Sequence, residues 1–168
     1  KPSSSYNGGS HSDGYKTVAE GRGSYAHGYL ESDGNLGDYY DNGSLSGTSY
    51  PPVYSEGDGS TASGFSQKGC QIHAKGDGSF ASGYIDNTAE VINSATTKPN
   101  GIRATGKGAH AEGYVANWGD EFIAYTEASG NGSHAEGVNT KAYGLGSHTS
   151  GIETSAHGAA TFVIGKYT

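Results

Sequence analysis

The chain has 168 residues, of which 30 are glycine, none is methionine and only 32% are hydrophobic, and its formal net charge is −7. So few large apolar side chains offer little area against the entropy of ordering so much glycine, which excludes an ordinary globular core. An acidic chain without a Lys or Arg cluster does not suit nucleic acid or an anionic membrane, and nothing approaches the roughly 18 apolar residues of a membrane span, so neither nucleic-acid binding nor membrane insertion of this segment is expected.

Short words closed by glycine run along the chain. Gly14, Gly21 and Gly28 are spaced by seven, and the next such glycine, Gly57, comes only after 29 residues. Gly57 and Gly64 are again seven apart, as are Gly76 and Gly83, and Gly106 and Gly113. The intervening steps are 12 from Gly64 to Gly76, 23 from Gly83 to Gly106 and 17 from Gly113 to Gly130. The stretch GNGSHAEGVNTKAYGLGSHTSGIETSAHG then carries unbroken sevens through Gly137, Gly144, Gly151 and Gly158. Regularity of this kind marks a solenoid rather than a flexible linker.

Two residues before the closing glycine stands a small residue, mostly Ala, between polar neighbours, which is the period of two of a strand with one buried face. Seven residues suffice for four or five in extended conformation and a corner, with glycine where positive φ costs least. Two such units predict a coil of about fourteen residues, lined inside by Ala135, Ala142, Thr149 and Ala156 with Ser133 and Ser147 as inward partners. Gly64, Gly83, Gly113, Gly137, Gly144, Gly151 and Gly158 are then structural positions of the repeat. Helix is not expected, since a glycine every seven residues costs about 1 kcal/mol each relative to Ala.

Where the rhythm breaks, insertions are predicted at about 30–52, 66–72, 85–102 and 115–126, and a final strand over 159–168. Tyr39, Tyr40 and Tyr50 fall in the first insertion, and Trp118, Phe122 and Tyr125 in the last. Loops on a repeat scaffold are the usual place for recognition, so these six aromatic residues are the candidate receptor contacts. Acids of the same regions, Asp38, Asp41, Asp120 and Glu121, are the ones a glycosidase reading would use. No nucleophile elbow or phosphate loop accompanies the glycine words, and no cofactor is expected. His110 and Glu112, like His134 and Glu136, stand two apart on one strand, with His148 fourteen residues beyond His134. Stacked histidines make His110, His134 and His148 weak metal candidates, against the plainer reading that they bond along the ladder or at a subunit interface.

The words Ser24-Tyr-Ala-His-Gly28, Ser60-Thr-Ala-Ser-Gly64, Ser79-Phe-Ala-Ser-Gly83 and Ser133-His-Ala-Glu-Gly137 resemble the head repeats of YadA-like trimeric autotransporter adhesins. That resemblance implies a left-handed parallel β-roll assembled as a homotrimer. The SHAEG form and the ending Val163-Ile164-Gly165-Lys166-Tyr167 are also similar to repeat regions of phage tail-spike and tail-fibre proteins, some of which precede a self-cleaving chaperone domain. It implies an extracellular protein, on a virion tail fibre or a bacterial surface, that attaches to a host-surface glycan or protein without catalysis. The alternatives are a plain structural shaft and a tail-spike polysaccharide depolymerase.

Overall fold

The computed structural model describes residues 4–5, 8–30, 53–66, 70–86, 100–116 and 125–167, all in strands, turns or short connections, with no helix among them. The strands run, in chain order, β1 (Ser4–Ser5), β2 (His11–Tyr15), β3 (Thr17–Ala19), β4 (Tyr25–Leu30), β5 (Val53–Ser55), β6 (Thr61–Ser66), β7 (Cys70–Ala74) and β8 (Phe80–Asp86). They continue as β9 (Asn100–Ala104), β10 (His110–Ala116), β11 (Tyr125–Ala128), β12 (His134–Val138), β13 (Lys141–Ala142), β14 (His148–Ile152), β15 (Ser155–Ala156) and β16 (Phe162–Lys166). Odd-numbered strands form one eight-stranded sheet and even-numbered strands another, each in sequential order. Every pairing is parallel. This is the architecture of a β-roll, in which the chain alternates between two facing sheets and each turn rests on the one before it.

Register puts like on like. Ala26, Ala62, Ala81, Ala111, Ala135 and then Thr149 stack up the even sheet. Opposite them, Ala19, Ser55, Ala74, Ala104, Ala128, Ala142 and Ala156 stack up the odd sheet. All of these side chains are buried, as are Ser133 and Ser147. A methyl group from each side is enough to fill the space between sheets that approach this closely, so alanine here is the core residue. The largest interior side chains sit in the middle of the roll, where Val53, Ile72 and Ile102 stack in one column and Ile85 and Val115 in another. Toward both ends the first column narrows to threonine, with Thr17 at one end and Thr126, Thr140 and Thr154 at the other.

From β3 to β14 the passage from an odd to an even strand is a tight turn built on Gly-x-Gly, and between β15 and β16 it is Gly158-Ala159-Ala160, where Ala160 takes the positive φ of +52°. In Gly57-Asp58-Gly59-Ser60, the Ser60 amide donates to the Gly57 carbonyl at 3.1 Å and Gly59 has φ of +63°. That is the pattern of a type II turn, whose third position needs positive φ. The Ser60 hydroxyl donates to the same carbonyl at 2.6 Å, and Ser133 and Ser147 repeat the bond to Gly130 and Gly144 at 2.6 and 2.8 Å. A Cβ on Gly57 would run into the Gly76 carbonyl of the adjoining turn, so the two glycines of the word are needed for different reasons. The middle residue adds a bond between turns: the Arg22 amide donates to Asp58 Oδ1 at 2.8 Å and the Lys107 amide to Asn131 Oδ1 at 3.0 Å.

The opposite passage, from even to odd strand, has two forms. At Lys16, Asn139 and Glu153 a residue with φ between 53° and 59° turns the corner. Elsewhere the segments 31–52, 67–69, 87–99 and 117–124 take its place. All four interruptions therefore fall between an even strand and the odd strand that follows it.

Two expectations change in detail. Gly64, Gly83, Gly113, Gly137 and Gly151 lie inside strands with φ from +109° to +142°, not at corners, while Gly144 and Gly158 mark the turns without a positive φ. The strands also reach further into the interruptions than the glycine count implies, taking in Ser66, Ile72, Ile85, Ile102 and Val115, and the final strand is Phe162–Lys166.

Candidate functional site

Because alternate residues face outward, each in-register strand of the even sheet contributes to lengthwise columns on its outer surface. The first is largely rings. His11 stacks on Tyr25 at 5.2 Å between centroids, and further along Phe80, His110, His134, His148 and Phe162 follow one another at 4.6, 4.5, 4.5 and 4.7 Å. Two residues on comes a polar column that includes Ser82, Glu112, Glu136 and Ser150. Those four and Gly83, Gly113, Gly137 and Gly151 line a shallow groove along the roll. Past the glycines a second ring column runs through Tyr15, Tyr29, Phe65, Tyr84 and Tyr114, with centroids 4.9–5.9 Å apart. Tyr29 and Tyr84 are 52% and 44% exposed, and Phe162 and Ile164 at the end of the sheet are 63% exposed each, so the face is aromatic and open.

In the middle of this face the His and Glu residues interleave. His110 Nε2 lies 3.4 Å from Glu112 Oε2, and His134 Nε2 lies 3.7 Å from Glu112 Oε1 and 3.9 Å from Glu136 Oε2. His148 Nε2 continues the series at 3.6 Å from Glu136 Oε1. These separations are too long for good hydrogen bonds, and all three Nε2 atoms are shielded from solvent and have no hydrogen-bond partner. The rings remain partly exposed because it is their Nε2 edge that turns inward. Burial, together with His110 and His148 on either side, holds the His134 pKa below the ordinary histidine value and outweighs the two carboxylates. The Ser150 hydroxyl, by donating to Glu136, holds that carboxyl below its usual range, with His134 and His148 helping.

On the odd sheet, Tyr125 begins β11, so it belongs to the roll rather than to an insertion. Its hydroxyl is 3.2 Å from that of Tyr143, Lys141 Nζ lies 4.7 Å from its ring centre, and the Arg103 guanidinium lies 5.6 Å away. A ring so engaged braces the sheet. Burial, and then Tyr125, raise the Tyr143 hydroxyl pKa well above the normal phenol value. The other candidates, Tyr39, Tyr40, Tyr50, Trp118 and Phe122, lie outside the described residues, as do Asp38, Asp41, Asp120 and Glu121.

A second polar cluster on this sheet carries a pH dependence. His73 Nε2 is 2.8 Å from Glu56 Oε2, Lys75 Nζ is 3.5 Å from Oε1, and the His73 ring stacks on Tyr54 at 4.8 Å. The His73 hydrogen bond is the main reason that the Glu56 pKa falls below its ordinary 4.5, against the opposing effect of burial. A lowered folded-state pKa contributes stability that is present above pH 4.5 and lost as pH falls through the folded value. Thermal unfolding from pH 6 downward is expected to show a larger acid loss in the wild type than in Glu56→Gln. Equal losses would mean that the pair contributes nothing.

Sequence spacing shows only half of these columns. The His and Glu pairs follow from their spacing, but the second ring column was missed, although its signal is plain: an aromatic residue directly after the strand glycine in Gly14-Tyr15, Gly28-Tyr29, Gly64-Phe65, Gly83-Tyr84 and Gly113-Tyr114. Comparison with protein-family models, with curated proteins and with solved structures finds no match to this chain. No helix of the described residues is long and apolar enough to cross a membrane.

Proposed function

We propose that the chain is a non-enzymatic attachment module, a left-handed β-roll of about fourteen residues per uninterrupted coil that assembles as a homotrimer and presents its loops to a host-surface glycan or protein. The observation that carries this reading is the placement of all four interruptions at one corner of the roll, while the Gly-x-Gly corner carries none. A purely structural shaft gains nothing from a one-sided row of loops, whereas a binding module gains a surface. The exposed ring columns of the even sheet support assembly, since contiguous apolar surface of this kind marks interaction sites. The setting this implies is extracellular, on a phage tail fibre or a bacterial surface.

Light scattering tests the assembly, with an expected mass three times the chain's 17.1 kDa. A monomer would overturn the architecture. A glycan array then compares wild type with Trp118→Ala, Tyr39→Ala and Tyr40→Ala, and selective loss of a signal in these variants is the expected result. Absence of any binding supports a shaft instead, and cleavage of a polysaccharide supports a depolymerase.

A further inference from the structure

We propose that His110, Glu112 and His134 form a site for one divalent transition-metal ion of the zinc type on the outer face of the even sheet. The ladder builds the site: β10 and β12 pair with His110 beside His134 and Glu112 beside Glu136, so each imidazole and the carboxylate two residues on point the same way. The ligand atoms of His110, Glu112 and His134 all lie within 4.8 Å of one another. This follows from geometry alone and is independent of any attachment role.

The decisive feature is the spacing between imidazole nitrogen and carboxylate oxygen. At 3.4 and 3.7 Å, His110 and His134 stand beyond the roughly 2.7–3.2 Å of an N–H···O bond to Glu112. Two ligand atoms each about 2.0–2.2 Å from a tetrahedral zinc are separated by about 3.3–3.6 Å. The gap is too wide for direct bonding and has the width that an ion between the groups requires. It also accounts for Nε2 atoms that are turned away from solvent yet bond to nothing. Glu112 offers a different oxygen to each histidine, so small ring rotations bring the three groups onto one centre. In the isolated chain the side chains of His110, Glu112 and His134 are 39%, 41% and 30% exposed while both Nε2 atoms face inward, so rotation of the rings is what brings the nitrogens to an ion.

Chemistry selects the class of ion. Two imidazoles and one carboxylate suit zinc, cobalt, nickel or copper, whereas magnesium and calcium take oxygen ligands. The next rung offers His134, Glu136 and His148, but at 3.9 and 3.6 Å, and it shares His134 with the first set. One imidazole nitrogen cannot serve two ions, so one ion per chain binds, at the tighter set.

The test is calorimetric titration of the full chain with zinc chloride, with magnesium chloride as the control and cobalt(II) absorption as a report on coordination. Expected are one zinc per chain, no response to magnesium, and affinity at least about tenfold weaker in His110→Ala, His134→Ala and Glu112→Gln. Glu112→Gln keeps the size of the side chain, and circular dichroism of each variant separates lost ligation from lost fold. His148→Ala is expected to bind within about twofold of wild type. Binding only at millimolar zinc, or variants indistinguishable from wild type, would overturn the site. Equal damage from His148→Ala and His110→Ala would overturn its assignment to this rung.

Discussion

Gly113→Ala is expected to lose about 4 kcal/mol or more in urea unfolding, while Gly132→Ala, in the turn that leads into the adjoining strand β12, loses only about 1 kcal/mol. The difference lies in what a Cβ would meet. Gly113 sits inside β10 with φ of +139°, a region that residues with a Cβ rarely enter, and an added methyl would overlap the Gly137 carbonyl of the next rung. Relief requires β10 and β12 to separate, which breaks ladder hydrogen bonds on both sides of the site. Gly132 also has positive φ, +63°, but nothing lies within 4 Å of its Cβ position. Its alanine variant bears only the local cost of a left-handed residue. Equal losses in the two variants would show that close packing between rungs is not what makes the strand glycines necessary.

Ile102→Ala is expected to cost about 2–5 kcal/mol, and the neighbouring Thr126→Val to cost nothing or to stabilise. Ile102 is fully buried between Ile72 and Thr126 in the same column, and its Cδ1 reaches across to the backbone of the even sheet near Gly83. A roll filled mostly by alanine has few side chains able to move into the space, so the cavity stays open. Thr126 is equally buried, and its hydroxyl has no hydrogen-bond partner. Valine keeps the shape and removes a polar atom that is already without compensation. Denaturant midpoints of the two variants decide the matter, and a destabilised Thr126→Val would indicate that the hydroxyl is satisfied in solution.

The same column shows where sequence reasoning stopped. The alanine interior was legible because it repeats at fixed distance from glycine: Ala135, Ala142 and Ala156 are buried where the spacing puts them. Ile85, Ile102 and Val115 fall where the glycine rhythm fails and so read as part of the interruptions, yet they are among the largest side chains of the core. A break in glycine spacing locates an insertion but not its edges, because the strands on either side lengthen before the chain departs. The role of each glycine is hidden for a related reason. Both members of Gly130-Asn131-Gly132 look alike in sequence, and only the register distinguishes the one pressed against its neighbour from the one that turns the chain. On the even sheet, spacing gave the direction of His110 and Glu112, but the 3.4 Å between them depends on side-chain placement that no periodicity encodes.

The one-cornered row of interruptions gives the roll a modular character. A segment as short as 67–69 and one as long as 31–52 join the same two kinds of strand, and the added closure entropy of a loop about seven times longer is only about 2 kcal/mol. A loop can therefore be exchanged for one of different length and chemistry while the rungs above and below keep their register. Such a scaffold can acquire a new specificity by recombination at one corner without refolding the rest, and the uninterrupted corners at Asn139 and Glu153 are places where a foreign loop could be grafted.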